Sequence, residues 1–124
     1  MPWENHLVVE YGIANRLPTG FKTFDFYDET LGLAVSAKTI DTLTGQRLAN
    51  PKTVYYSLKK DIDSVIDFEV AGRGDMVLNF NMIRTRRLEV AIPEGTTPAQ
   101  LAEIIRAVDY EKINNIDVVI TKVK

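Results

Sequence analysis

The sequence predicts an α/β (α+β) fold, with a single domain over residues 1–124 in which helices flank a central mixed β-sheet. Helical periodicity and strand-like runs alternate in the order helix, hairpin, helix, hairpin, strand, helix, strand. This order favours one mixed sheet with helices packed against it. A chain of 124 residues, 45% of them hydrophobic, is also long enough to bury one core.

Three segments have the periodicity of amphipathic helices. The first begins at Pro2, and its predicted core-facing side chains are Trp3, Leu7, Tyr11 and Ala14. The second begins with Asn50 as its cap and Pro51 as its first residue, and its predicted core-facing side chains are Val54, Tyr55, Leu58, Ile62 and Val65. The third begins at Thr97 and Pro98, and its predicted core-facing side chains are Leu101, Ile104, Ile105 and Val108.

The remaining segments are predicted strands and loops. Residues 21–41 alternate as a hairpin with Gly32 in its turn, and residues 66–80 form a second hairpin. The predicted turn of the second hairpin consists of Ala71, Gly72, Arg73 and Gly74. Single strands are predicted at residues 86–93 and 114–124, and the segment between the first hairpin and the second helix is predicted to be a loop.

The composition excludes several classes of site. The sequence contains no cysteine and one histidine, His6, so disulfides, thiolate metal sites and histidine-based zinc sites are excluded. A metal ion must therefore bind to carboxylates and water, which favours hard ions such as Mg²⁺ or Mn²⁺ and leaves zinc possible. The net charge of −2 means that a nucleic-acid partner needs a local basic patch. No apolar run approaches the length of a membrane span.

The first predicted hairpin contains three polar residues in strands that otherwise have core character. Side chains alternate across a strand, so Ser36 and Lys38 share one face. A register that pairs Asp25 with Ser36 also pairs Asp28 with Leu33 and leaves a four-residue loop, which is a common hairpin length. In that register Asp25, Ser36 and Lys38 converge, whereas a slip of one residue would separate them.

This pattern is the skeleton of the PD-(D/E)xK nuclease motif. Asp25 is the predicted ligand of a divalent ion that polarises the scissile phosphate and activates water. The Lys38 ammonium is predicted to orient the water and to offset the developing negative charge. Ser36 occupies the position of the usual second acid, and Glu4 in the first helix is expected to supply the missing carboxylate.

Four segments of the sequence, WENHL, FKTFDFYD, AVSAKTID and NPKTVYYSLKK, resemble the C-terminal nuclease domain of contact-dependent growth inhibition (CDI) toxins. The resemblance is to the metal-dependent DNase branch, in which Ser-x-Lys replaces the usual acid and lysine. It covers residues 3–60 well and the remainder in its order of elements. It implies a restriction-endonuclease-like core in which Glu4, Asp25, Ser36 and Lys38 form the catalytic site, with Glu4 and Asp25 as metal ligands.

The resemblance also implies a cofactor, partners and a location. The ion reported for this branch is zinc, whereas the residues alone favour Mg²⁺. Toxins of this kind are C-terminal parts of large secreted proteins that are delivered from the cell surface into neighbouring bacteria, where they act in the cytoplasm. A cognate immunity protein binds such a toxin as a heterodimer, and the hairpin turn at Ala71–Gly74 is the predicted docking element.

Further candidate residues are less specific. The predicted contacts to nucleic-acid phosphates are Lys52, Arg84, Arg86 and Arg87. Lys59 and Lys60 are additional candidates, and Tyr56 is a candidate for base stacking. Asp61 and Asp63 are expected to face solvent.

The sequence therefore predicts a metal-dependent endonuclease toxin that cleaves DNA in target bacteria. Two alternatives stay open. One is an RNA- or tRNA-cleaving toxin on the same fold, since no residue separates the two substrates. The other is a non-catalytic binding module or immunity-like protein in which the polar hairpin is only structural.

Overall fold

The computed structural model describes residues 3–111 and 115–124, and its centre is a four-stranded mixed sheet in the order β1-β2-β5-β6. These strands are β1 (Phe26–Asp28), β2 (Leu33–Thr39), β5 (Thr85–Pro93) and β6 (Ile116–Val123). The first pair is antiparallel, and β5 runs parallel to both β2 and β6. The predicted mixed sheet is confirmed. Pro2 and Asn114, the predicted first residues of the first helix and of the last strand, lie outside the described residues.

Helices cover both faces of this sheet. They are α1 (Trp3–Tyr11), α2 (Gly45–Ala49), α3 (Lys52–Ile66) and α4 (Pro98–Glu111). Helices α3 and α4 pack against each other and cover one face, where the larger core contains Leu58 and Ile62 of α3 together with Leu88 and Val90 of β5. Across residues 3–111 and 115–124, no helix is long and apolar enough to cross a bilayer.

A smaller core lies under α1 on the opposite face. Leu7 is the one fully buried side chain of α1, and it packs with Phe26, Leu33 and Val35 of the first hairpin. A short 3₁₀ turn, Ile13–Asn15, follows α1 and returns the chain towards the start of β1. Trp3, Val8 and Tyr11 of α1 also pack against this core while partly buried. This core contains fewer buried residues than the core under α3 and α4, and polar contacts add to the attachment of α1.

The segment predicted as a loop before the second helix contains α2, so that part of the prediction is wrong. Thr44 caps this helix, since its hydroxyl accepts a hydrogen bond from the Arg47 N–H. Asn50 therefore ends α2 instead of capping α3, and α3 begins one residue later than predicted, at Lys52. The predicted apolar face of α3 is confirmed, whereas Ile105 of α4 is 60% exposed and does not face the core.

The second hairpin forms a separate two-stranded sheet from β3 (Val70–Arg73) and β4 (Met76–Asn79). Its turn is Gly74-Asp75, and Gly74 supplies the positive φ of 62° that the turn requires. Ala71, Gly72 and Arg73 therefore belong to a strand, and the predicted turn at Ala71–Gly74 is displaced by about two residues towards the N-terminus, although Gly74 is in the turn as predicted. Gly72 was the competing turn former, but its φ is not positive.

Candidate active site

The first hairpin has the predicted register, because Phe26 pairs with Val35 and Asp28 pairs with Leu33. Asp25 directly precedes β1, and its N–H donates to the Val35 carbonyl at 2.8 Å. Its carboxylate accepts a hydrogen bond from the Ala37 N–H at 2.7 Å. The side chain of Asp25 is thus fixed against β2, at the level of Ser36 and Lys38.

Glu4 lies beside Asp25, although the two residues belong to different elements. It occupies the first turn of α1. Its carboxylate accepts a hydrogen bond from Asp25 and forms an ion pair with Arg16. Burial, followed by the hydrogen bond and the charge of Glu4, raises the pKa of Asp25 to about 7. The hydrogen bond from Asp25 lowers the pKa of Glu4, and Arg16 lowers it further. The two carboxyl groups therefore share a proton near neutral pH.

Ser36 has a buried hydroxyl without a partner. The residue is fully buried, and its Oγ makes no hydrogen bond within the part of the chain that the structure describes. A buried polar atom left unsatisfied costs about 1–3 kcal/mol, so such atoms are rare unless they meet a ligand. Ser36 lies on the strand that pairs with the Asp25 segment, so a ligand bound beside Asp25 would give this hydroxyl its missing hydrogen-bond partner.

Lys38 supplies the positive charge of the site. It is half-buried, and its charge lowers the pKa of Asp25. It also lowers the pKa of Asp61 on α3, which burial raises. Asp61 is half-buried and close to Lys38, so the prediction that it faces solvent is wrong, whereas Asp63 makes an ion pair with Lys59. The sequence could not separate the two acids, because both lie near the polar side of one helix.

The predicted nucleic-acid contacts do not form one patch. Arg86 donates to the carbonyls of Val65 and Ile66 at 2.6 and 2.9 Å, so it caps the end of α3. Arg87 lies on the opposite face of the sheet, where it pairs with Asp117 at 2.6 Å. Lys52 and Arg84 are exposed, at the start of α3 and before β5 respectively. The side chains of Arg86 and Arg87 are therefore engaged within the protein, and phosphate binding by the four residues stays a prediction.

Glu89 of β5 holds α1 in place, and sequence reasoning missed it. The Trp3 indole N–H donates to the Glu89 carbonyl at 3.1 Å, and the Tyr11 hydroxyl donates to the Glu89 carboxylate. Both ends of α1 are thus bound to one residue of a central strand, and that residue is 3% exposed. Since Glu4 lies in the first turn of α1, this attachment determines where its carboxylate stands. The sequence did contain one indication of this role, because Glu89 is the single acid in a strand that is otherwise rich in apolar residues.

The donor atoms at the site fit a divalent cation. Glu4 and Asp25 present carboxylate oxygens, and Ser36 presents a hydroxyl without a partner. In residues 3–111 and 115–124, no group of three or more His, Cys, Asp or Glu residues is arranged to hold a metal ion. Hard divalent ions accept one or two carboxylates when water or phosphate completes their shell, so two carboxylates suffice. An ion here would also relieve the repulsion that makes the carboxyl pair share a proton.

The fold and this arrangement of acidic, hydroxyl and lysine side chains define a domain of the restriction-endonuclease-like class. A mixed sheet holds an aspartate and a Ser-x-Lys sequence on adjacent hairpin strands, and a glutamate from the preceding helix stands beside them. The chain belongs to the CDI toxin restriction endonuclease-like domain family, whose model matches residues 1–121. Restriction-endonuclease-like nucleases generally require a divalent metal ion.

Two curated relatives and one solved structure are similar over the whole chain. The sequence is 42% identical over 124 residues to Deoxyribonuclease CdiA of Yersinia pseudotuberculosis and to Deoxyribonuclease CdiA-o11 of Escherichia coli O157:H7. The chain spans 12% and 33% of the length of these two relatives. The solved CdiA-CT/CdiI toxin and immunity complex from Yersinia pseudotuberculosis contains a chain that is 42% identical, with a TM-score of 0.91 and full coverage of both chains.

The raised pKa of Asp25 predicts a pH-dependent stability difference. In the unfolded chain Asp25 ionises near 3.8, whereas in the folded, metal-free protein it keeps its proton until about pH 7. The folded state therefore binds more protons between these values, and its stability falls as the pH rises through them. We expect the free energy of unfolding of the parent protein in EDTA to fall relative to Asp25→Asn between pH 4 and 7. Denaturant titrations at each pH measure this difference.

The control for this comparison is Asp75→Asn, which changes an exposed aspartate in the turn of the second hairpin. A difference between the parent protein and Asp25→Asn that stays constant from pH 4 to 7 would contradict the shared proton.

The attachment of α1 predicts a stability loss in Tyr11→Phe. Removing the hydroxyl leaves the buried Glu89 carboxylate without its donor, which costs about 1.5–3 kcal/mol in the free energy of unfolding. Tyr110→Phe removes a hydroxyl from a tyrosine that is 44% exposed, and we expect it to cost less than about 0.5 kcal/mol. Urea denaturation of both variants at pH 7 makes the comparison, and equal losses would contradict the role of Glu89.

Proposed function

We propose that this chain is a metal-dependent endodeoxyribonuclease and acts as a toxin of contact-dependent growth inhibition. The observation that supports this proposal is that Glu4 and Lys38 both interact with the Asp25 carboxyl group, while the unpartnered hydroxyl of Ser36 lies on the strand that pairs with this segment. The names of the two relatives, both deoxyribonucleases, support DNA as the substrate. Catalysis by Glu4, Asp25, Ser36 and Lys38 is the central part of the proposal.

Glu4 and Asp25 hold the divalent ion, which is Zn²⁺ or Mg²⁺. When bound, the ion supplies positive charge that polarises the scissile phosphate and makes water a better nucleophile. Asp25 must release its proton to become a ligand, so the affinity for the ion rises with pH up to about 7. Arg16 pairs with Glu4 in the metal-free protein and keeps that carboxylate ionised, because it lowers the pKa of Glu4.

Lys38 and Ser36 act on the phosphate. The Lys38 ammonium offsets the negative charge that develops on the phosphate oxygens as the water attacks. The Ser36 hydroxyl donates a hydrogen bond to a phosphate oxygen and thereby gains the partner that it lacks in the free protein. The Ala37 N–H keeps the Asp25 carboxylate in place throughout, at 2.7 Å.

This activity predicts that Lys38→Ala cuts plasmid DNA at least about 100-fold more slowly than the parent protein, since one charge that stabilises the transition state is lost. Cleavage is measured on agarose gels with Mg²⁺ or Zn²⁺, with and without EDTA, and total tRNA serves as a second substrate. Lys124→Ala removes a lysine at the end of the chain and serves as the matched control.

We expect metal-dependent cleavage of DNA but not of tRNA, and no cleavage in EDTA. If neither substrate is cut, or if Lys38→Ala cuts as fast as Lys124→Ala, the nuclease assignment fails. If tRNA is cut in preference to DNA, the fold and the site stand but the substrate is RNA.

The proposal includes a cognate immunity protein that forms a heterodimer with this chain. The toxin and immunity complex of the similar Yersinia protein supports it. Docking occurs at the hairpin β3–β4, which includes Ala71, Gly72, Arg73 and Gly74. This hairpin forms a separate two-stranded sheet, and within residues 3–111 and 115–124 no further strand pairs with the outer edge of β3 or β4, which suits strand addition. In the cell the chain is the C-terminal part of a larger protein and acts in the target-cell cytoplasm after delivery.

This docking mode predicts that the double variant Val70→Lys/Val77→Lys binds the cognate immunity protein more than tenfold more weakly than the parent protein. Both side chains are more than half exposed on the hairpin, at 53% and 57%, so the substitutions disturb the docking surface and not the core. Ile105→Lys places the same charge on α4, where the residue is 60% exposed, and serves as the control. Surface plasmon resonance gives the dissociation constants, and an unchanged affinity in Val70→Lys/Val77→Lys would exclude this hairpin as the docking element.

A further inference from the structure

A groove of about 500 Å³ lies between α3 and the segment that leads into β1. Its walls include Lys22 and Thr23 of that segment, Tyr56 and Lys60 of α3, and Phe68 after α3. Lys59, Asp63 and Asp67 also line the groove, and Lys59 and Asp63 neutralise each other at 2.8 Å. In residues 3–111 and 115–124, no carboxylate pairs with Lys22 or Lys60.

The wall of the groove contains a strained backbone. Thr23 has a φ of 69°, and the Phe24 N–H donates to the Lys22 carbonyl at 2.8 Å, which together define the uncommon form of γ-turn. A β-branched residue is disfavoured in this conformation, so the surroundings must enforce it. Phe24 enforces it from within the core, where its ring meets Phe68 edge to face at 4.9 Å. Because the packing of Phe24 holds this turn, the backbone of Lys22 and Thr23 is held at the groove as well.

The groove adjoins the candidate active site. Thr23 is two residues before Asp25, so the same turn that shapes the groove delivers the aspartate to β2. On the α3 side, the charges of Lys38 and Lys60 both act on Asp61, so Asp61 lies within reach of both lysines. Lys38 of the candidate site and Lys60 of the groove are thus both near Asp61 of α3.

Tyr56 gives the groove an aromatic surface. The residue is 61% exposed, yet its ring is held by an edge-to-face contact with Tyr55 at 5.3 Å. Tyr55 is itself covered by the Arg106 guanidinium at 3.8 Å from the ring centre. A ring that is fixed from behind and open in front suits stacking on a base, which is worth about 1–3 kcal/mol.

We propose that this groove binds a backbone phosphate of the DNA strand next to the phosphate that is cleaved, with Lys22 and Lys60 as its cationic contacts and Tyr56 as the stacking surface for an adjoining base. This inference rests on the proposed nuclease function and assigns the part of the protein that grips the substrate away from the reacting atoms. Lys60 and Tyr56 were already candidates in the sequence, whereas Lys22 was not. The groove does not include Lys52, Arg84, Arg86 or Arg87, the other predicted phosphate contacts.

The test measures DNA binding in EDTA, where the fluorescence anisotropy of a labelled 20-base-pair duplex reports the dissociation constant without cleavage. Each phosphate contact contributes about 0.9 to the slope of log affinity against log salt. Lys22→Ala/Lys60→Ala removes both contacts to one phosphate, so we expect it to reduce that slope by about 0.9 and to weaken binding at least about tenfold at low salt. Tyr56→Ala should weaken binding to a labelled single strand by roughly 5- to 100-fold.

The matched control is Lys122→Ala/Lys124→Ala, which removes the same charge from β6 and the residue after it. Both double variants change exposed side chains, so thermal melting should match the parent protein. In metal-dependent cleavage of the duplex, the groove variant should raise KM more than it lowers kcat, because its contacts bind substrate without touching the reacting phosphate.

If the groove variant and the control have the same salt slope and the same KM, the groove proposal is overturned even when the parent protein cuts DNA. If the parent protein binds DNA with the expected loss of slope in the groove variant but cuts no nucleic acid, the nuclease function fails while the groove proposal stands.

Discussion

Two carboxyl groups, one from the start of α1 and one from the edge of β1, lie closer together than two negative charges tolerate. The rest of the structure holds this pair in place. The Ala37 N–H fixes Asp25 on one side, and Arg16 holds the Glu4 carboxylate on the other. Glu89 binds both ends of the helix that presents Glu4. A proton shared by the two carboxyl groups relieves this repulsion, and under the proposed function a divalent cation takes its place.

Several features in and around the candidate site lower the free energy of unfolding, and burial in the two cores offsets them. A buried hydroxyl without a partner at Ser36, a buried acid at Glu89 and a strained turn at Thr23 each oppose folding. The large core between the sheet and helices α3 and α4 contributes most of the apolar burial, whereas the small core under α1 contributes little. The large core thus stabilises the fold that contains the candidate site and the unfavourable features around it.

The sequence was informative where contacts are local and less informative where they depend on docking. The alternation of side chains and the length of the Glu29–Gly32 loop were enough to pair Asp25 with Ser36, because a hairpin register depends on neighbouring residues. Arg16, Asp61 and Glu89 were missed or misplaced because their partners belong to elements joined only in the tertiary structure. The turn of β3–β4 was misplaced because Gly72 and Gly74 both permit a turn, and only tertiary packing selects Gly74.

The separation of β3–β4 from the main sheet has an evolutionary consequence. Among the residues that the structure describes, its two strands pair only with each other, and its interior contact with the core includes the buried Leu78. The outward side chains of this hairpin can therefore diverge without shifting the register that aligns Asp25 with Ser36. A family built in this way can acquire new recognition surfaces by drift at the hairpin while the chemistry at the sheet stays under a separate, stricter selection.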